Sequence, residues 1–229
     1  MKQKIEILYQ NFFRKLGIDS RTGEFIVENN IKFATYPYIG IKYHQPKQKI
    51  LFVGLDIGKD ETPCCIQSLE ERRENIALDT DFNPHIAGTY IMALFMLLEE
   101  FNWQDIWESV RVFSTCQQAT KVRHHRIDQN PLDYVSLTNF FKFVDVNREI
   151  RSGDKNRKFT NKNVENQLFI DEVKILNPSI IIFQGNCPTD SILSELRQLN
   201  IELYKATHPS NRKLGGRQPE NYVSSLRKL

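Results

Sequence analysis

Lys49-Ile50-Leu51-Phe52-Val53-Gly54-Leu55-Asp56-Ile57-Gly58 is the stretch whose reading decides the fold. The unbroken apolar run from Ile50 to Val53 is the pattern of a strand buried on both faces, as in a parallel sheet. It stops at Gly54, and Asp56 follows at the strand's C-terminal end. Ligands of open α/β sheets bind at that end. Several unrelated enzyme folds place an acid there, so the stretch speaks for an architecture before it speaks for a chemistry.

Working outward, apolar residues recur at helical spacing from Ile5 to Leu16, and Gly17 suits a C-terminal cap. Arg21 to Gln48 reads as irregular, with short strands near Phe25–Val27 and Ile39–Tyr43. Lys59 to Asn83 is polar and reads as a lid or a short exposed helix. Pro84 opens a helix through Glu100, and Trp103 to Val110 continues as further helical turns. Tyr134 to Phe143 reads as a central strand, followed by a polar, basic loop from Asp145 to Asn163. Val164–Leu176 is a helix broken by Asn177-Pro178, and Ser179–Phe183 is the most strand-like run of the chain. Thr189–Leu199 (helix), Ile201–Ala206 (strand) and Pro219–Leu226 (helix) complete the alternation. The expectation is one domain over residues 1–229, with 1–48 an N-terminal helix and extension and 49–229 the core. Its fold class is α/β, a three-layer α/β/α sandwich around a largely parallel four-stranded sheet.

The chain has 229 residues, 40% of them hydrophobic, enough for one substantial core. No apolar run approaches the roughly 18 residues that span a bilayer. Met1-Lys2-Gln3-Lys4 leads into an amphipathic segment and not a secretory signal. A cytoplasmic protein of a bacterial or phage-encoded kind, acting as a monomer without membrane contact, is expected. Cys64, Cys65, Cys116 and Cys187 have neither C-x-x-C nor zinc spacing and read as reduced structural thiols. The net charge is only +3, but basic residues crowd Lys142–Lys162 and Lys205–Arg217. Two basic loops beside strand ends fit a phosphate-backbone footprint.

The candidate chemical groups all fall at strand ends: Asp56 after the first strand, Asn139 late in the second, Gln184-Gly185 after the third and His208 after the last. Any one of them alone reads equally well as a turn residue, a core amide or a structural histidine. Taken together and in order, they resemble the uracil-DNA glycosylase superfamily. Gly54-Leu55-Asp56-Ile57-Gly58 matches its Gly-x-Asp/Asn strand end, and Leu137-Thr138-Asn139-Phe140 its Thr-Asn strand. Leu176-Asn177-Pro178 with Ile180–Gly185 matches its Leu-x-Pro turn and hydrophobic strand. His208-Pro209-Ser210 matches its last motif, so the likeness runs from about Lys49 to Asn211.

The resemblance implies a monofunctional DNA glycosylase that flips out a pyrimidine and hydrolyses its N-glycosidic bond. Breaking that bond leaves a cationic sugar and an anionic base. Asp56 would stabilise the sugar and position water, while His208 would donate to O2 of the departing base. Asn139 would read the base's Watson–Crick edge, with Leu55, Gly58 and Phe82 lining the pocket. Pro209 and Ser210 would grip phosphate, helped by Asn211, Arg212, Lys213 and Lys142. DNA is the implied partner. No metal or other cofactor is expected: some branches bind an iron–sulfur cluster through an N-terminal cysteine pair, but the first cysteine here is Cys64. His124-His125 reads as part of a basic loop.

Two departures bear on substrate. The uracil-specific branch has a tyrosine that blocks substituents at pyrimidine C5; Gly58 stands there, which implies entry of a C5-modified pyrimidine, such as a phage-type modified cytosine, or of uracil or mismatched thymine. After His-Pro-Ser the family's apolar wedge is replaced by Asn211-Arg212, with Leu214 later. Phe82 and Tyr90 are candidates for the stacking aromatic, and His85 could approach the pocket. The rival readings are an RNase H-like nuclease with Asp56 on Mg²⁺, an actin/Hsp70-like ATPase, and a catalytically inactive DNA-binding module. The first two expect a β-hairpin after the first strand and further strand-borne acids. A Walker loop fails on spacing, and Asp60 replaces its Ser/Thr.

Overall fold

The N-terminal apolar stripe folds as helix α1 (Lys2–Leu16), which buries Ile5, Tyr9 and Phe13 and ends at Gly17 with φ 65°. The computed structural model describes residues 1–26, 31–33, 35–54, 66–78, 83–121, 130–145, 162–210 and 218–229. Two short strands, β1 (Ile31–Phe33) and β2 (Tyr38–Ile39), precede β3 (Ile50–Gly54), the strand of the opening stretch. Helices α2 (Leu69–Leu78), α3 (Pro84–Met96), α4 (Leu98–Phe101), α5 (Gln104–Val110) and α6 (Cys116–Lys121) follow. A 3₁₀ turn at Pro131–Tyr134 leads into β4 (Val135–Asn139) and β5 (Phe143–Asp145). The chain then forms α7 (Lys162–Leu176), β6 (Ile180–Gln184), α8 (Asp190–Gln198), β7 (Glu202–Ala206), α9 (Pro219–Ser224) and β8 (Arg227–Lys228).

The main sheet has six strands in the order β2-β4-β3-β6-β7-β8. Its four central strands are parallel, as expected, whereas β2 and β8 add antiparallel edges that make the sheet mixed. Both edge strands are two residues long, too short for alternation to reveal them in sequence. All residues of β3, β4 and β6 are buried. Their side chains alternate between two cores. Leu51, Val53, Ile181 and Phe183 join α1, α7 and α8, while Ile50, Phe52, Ile180 and Ile182 join α3, α6 and α9. Helices therefore cover both faces. The change of face follows from right-handed crossovers: β3 to β4 runs one way along the sheet, and β4 to β6 runs back across β3.

The expected strand Tyr134–Phe143 is interrupted. The backbone N–H groups of Lys142 and Phe143 both donate to Glu165 Oε1, at 2.5 and 3.1 Å. This turns the chain out of the main sheet, and β5 pairs with β1 in a separate two-stranded sheet. The Phe25–Val27 expectation reduces to isolated bridges at Glu24 and Phe25. The expected Lys59–Asn83 segment contains α2; most of its remainder lies outside the described residues.

Lys142 corrects a sequence expectation. It stands beside a basic run and was expected on a phosphate-facing loop, yet its side chain is 1% exposed. Its Nζ donates to Glu172 Oε1 at 2.8 Å and to Thr138 Oγ1 at 2.6 Å. Thr138 Oγ1 donates to the same carboxylate oxygen at 2.7 Å, and Tyr9 OH donates to Glu172 Oε2. Burial holds the Lys142 ammonium below its ordinary pKa, with Glu172 pulling it back up; burial and then Glu172 raise Tyr9 well above its own. An ammonium so committed cannot meet a phosphate.

Removing one partner strands a buried charge, so Glu172→Gln should destabilise the fold by about 3–5 kcal/mol in denaturant unfolding. The double variant Lys142→Met/Glu172→Met should recover a substantial part of that loss. An effect of Glu172→Gln below about 1 kcal/mol would show that the pair is already hydrated.

Candidate functional site

Parallel strands in register bring their C-terminal ends to one edge. Gly54 on β3 lies opposite Asn139 on β4, and Gln184 on β6 lies opposite Ala206 on β7. The strand order reverses between β3 and β6, which is the switch point where open α/β sheets form a ligand crevice. Asn139, Gln184 and His208 reach that edge from three strands, and α3 enters it from above with His85 in its first turn.

Helix α3 is placed by local chemistry. Asn83 caps it, its side-chain oxygen accepting from the backbone N–H of His85 at 2.9 Å and of Ile86 at 3.4 Å, and Pro84 takes the first helical position. Two glycines allow the close approaches. A methyl group at Gly54 would lie 2.7 Å from Asn139 Oδ1 and 3.0 Å from His85 Cε1. One at Gly88 would lie 2.4 Å from Pro209 Cβ, so α3 packs directly on the His208-Pro209-Ser210 turn.

His208 is held from three sides. Gly185, at φ 106°, passes beneath it and donates its N–H to Ala206 O at 2.9 Å. Ser225 Oγ accepts from Thr207 N at 2.9 Å, tying the end of β7 to α9. Ser210 caps the ring: its backbone N–H donates to His208 Nδ1 at 3.2 Å, with Ser210 Oγ 2.7 Å from the same nitrogen. A backbone N–H is always a donor, so Nδ1 accepts and the neutral ring carries its proton on Nε2. Burial keeps His208 below the ordinary imidazole pKa.

His85 stacks on His208, with ring centroids 5.5 Å apart and planes 4° from parallel. Burial first, and then His208, push its pKa from 6.5 down to about 3. Its Nε2 is buried without a hydrogen-bond partner. Gln184, fully buried, donates from Nε2 to Tyr222 OH at 2.8 Å and to Thr89 Oγ1 at 3.1 Å.

Of the residues expected from sequence, Asn139, His208, Pro209 and Ser210 come together at this edge. Asp56, Leu55, Gly58, Phe82, Asn211, Arg212 and Lys213 lie outside the described residues, as do His124 and His125. Lys142 does not join the group; it belongs to the ion pair behind β4. Tyr90 packs against the α3-side core, where its contacts are apolar neighbours. Sequence reading gave Gln184 no role beyond following a strand and His85 only a possible approach. The signal for His85 was its place just after Asn83-Pro84, a helix start aimed at the strand ends. A surface cleft lined by Val112, Phe113, Ser114, Gln118 and Lys121 contains none of these groups. Among the described residues, no cluster of His, Cys, Asp and Glu has the makings of a metal site, and no helix is long and apolar enough to cross a membrane. No protein-family model matches the chain, and no curated protein matches it.

The imidazole pair sets a sign for pH dependence. His85 protonates near 6.5 when unfolded and only near 3 in the fold, so the unfolded chain binds more protons between these values. Stability is full above pH 6.5 and falls as pH drops toward 3, with His208 contributing in the same direction. Melting temperatures from pH 8 to 4 should fall less steeply for His85→Phe than for the unsubstituted chain; parallel curves would refute the burial of His85. Gly88→Ala should destabilise by about 1–3 kcal/mol through overpacking against Pro209, measured by denaturant unfolding.

Proposed function

We propose that the chain is a monofunctional DNA glycosylase of the uracil-DNA glycosylase type, acting on a flipped pyrimidine with a substituent at C5. The observation that carries this reading is the tautomer of His208. A ring whose Nδ1 is occupied by Ser210 presents an Nε2–H donor and resists becoming an imidazolium. That is the group a departing base anion needs: a neutral donor that strengthens its hydrogen bond as charge develops, without first protonating the base.

The reaction follows from the groups at the strand ends. The C1′–N1 bond breaks with its electron pair passing to the base, whose O2 accepts from His208 Nε2–H. Asn139, held opposite Gly54, pairs with the base edge. Asp56, two positions beyond the end of β3 in sequence, stabilises the oxocarbenium-like sugar and takes the proton of the water that adds to C1′. The Pro209-Ser210 turn lies beside this point and suits a phosphate contact. Gly58 leaves room at C5 for a modified pyrimidine, and the fold that goes with this reading is the glycosylase α/β/α sandwich.

Strand pairing argues against the nuclease and ATPase readings. Both neighbours of β3 are parallel, so neither side is available to the antiparallel hairpin partner those folds require.

Duplexes carrying uracil, mismatched thymine, or hydroxymethylated or glucosylated cytosine, incubated in EDTA and then treated with alkali, test the proposal. Base release in EDTA with strand breakage only after alkali is expected. Magnesium-dependent breakage before alkali would make the protein a nuclease, and binding without release would make it a binding module. His208→Ala should slow base release by about 10²–10³-fold, and Asp56→Asn should abolish it, with DNA affinity changed only a few-fold in either variant.

A further inference from the structure

The hydrogen bonds around Gln184 define the second imidazole. Both hydrogens of its amide are committed, to Tyr222 OH and to Thr89 Oγ1. The Thr89 hydroxyl hydrogen goes in turn to His85 O at 2.9 Å. Gln184 also hydrogen-bonds the His85 side chain, and the only atom it has left for that is its carbonyl oxygen. An oxygen of this kind only accepts, so the bonded ring nitrogen carries the proton. Since His85 Nε2 has no partner, the bonded nitrogen is Nδ1. His85 therefore presents a bare Nε2 lone pair, the opposite of His208, whose Nε2 carries hydrogen.

That lone pair is aimed at the candidate site. His85 Nε2 and Asn139 Oδ1 lie 3.2 and 2.7 Å from the point a methyl group on Gly54 would occupy, so both converge on the end of β3. A buried acceptor without a donor is costly, and a ligand that supplies the donor recovers that cost.

We propose that His85 is a specificity-determining residue whose Nε2 accepts a hydrogen bond from the exocyclic amine of the extruded base, making the substrate a cytosine-type and not a uracil-type pyrimidine. The inference rests on the glycosylase reading and narrows it. A 4-amino pyrimidine offers two N–H hydrogens: one pairs with Asn139 Oδ1 while Asn139 Nδ2 donates to N3, and the other meets His85 Nε2. A 4-oxo pyrimidine turns an oxygen lone pair toward the His85 lone pair, leaving both without a donor. A site built to pair with a substrate N–H rejects the analogue lacking it far more strongly than an apolar pocket rejects a methyl group.

The test uses matched duplexes that differ only at C4: 5-hydroxymethylcytosine against 5-hydroxymethyluracil, and the glucosylated form of each. The readout is the ratio of base-release rates within a pair, so a variant that is partly unfolded lowers both rates and leaves the ratio intact. The unsubstituted protein should favour the amino base. His85→Leu should cut release of the amino base by about 10–100-fold relative to the oxo base. His85→Gln, which keeps an acceptor, should retain most of the discrimination. Equal losses on both bases, or a native preference for the oxo base, would overturn the role of His85 and leave the glycosylase reading standing. No release from any of these duplexes or from uracil and thymine mismatches would overturn both.

Discussion

The carboxylate of Glu172 is the constraint around which one side of the molecule is arranged. It is fully buried, and an unpaired charge there would be several kcal/mol too costly to keep. Its compensation comes from Tyr9 on α1, Thr138 on β4 and Lys142 beyond the end of that strand. These elements cannot separate without exposing the carboxylate's loss of partners, so α1, α7 and β4 hold one another in place. The consequence reaches the crevice because Thr138 immediately precedes Asn139. In a strand the two side chains point to opposite faces, and fixing the first on the buried carboxylate fixes the direction of the second.

The opposite face is organised by hydrogen-bond direction more than by charge. Ser210 and Gln184 each assign a tautomer to a histidine, and they assign opposite ones. The stacked rings thereby present a donor and an acceptor side by side. Protonating either would place a positive charge next to its neighbour in a desolvated setting, which is why both pKa values are low. Such a pair can discriminate between ligands by where they carry hydrogen, without any change in shape.

How much of this was legible in the sequence depended on the range of the interaction. The unbroken apolar runs Ile50–Val53 and Ile180–Phe183 reported their burial on both faces directly, because a parallel strand under two helical layers admits no polar alternation. Gly17 and Asn83-Pro84 marked helix ends by local rules of the same kind. The edge strands β2 and β8 were not legible, since two residues carry no period. Lys142 was misread because its neighbours in sequence are basic, while its partner in space lies on another element. A sign of the true arrangement was present: Glu165 and Glu172 share a face of α7 with Leu168, Phe169 and Val173, and acids on an apolar stripe ask for a buried cation. The strand-end residues Asn139 and His208 could be located from the strands, but their neighbours His85 and Gln184 could not be given roles, because a tautomer depends on contacts far apart in the chain.

Gly88 has a bearing on motion. With no side chain there, α3 and the His208 turn meet backbone to ring, and nothing between them can yield on its own. The two histidines, far apart in sequence, then belong to one mechanical unit: the crevice opens by displacing that unit or not at all. Local fluctuations that would let one imidazole swing out while the other stays are suppressed. Ligand entry is therefore governed by the chain on the far side of the strand ends, and the donor–acceptor pair is presented to each incoming ligand in the same geometry.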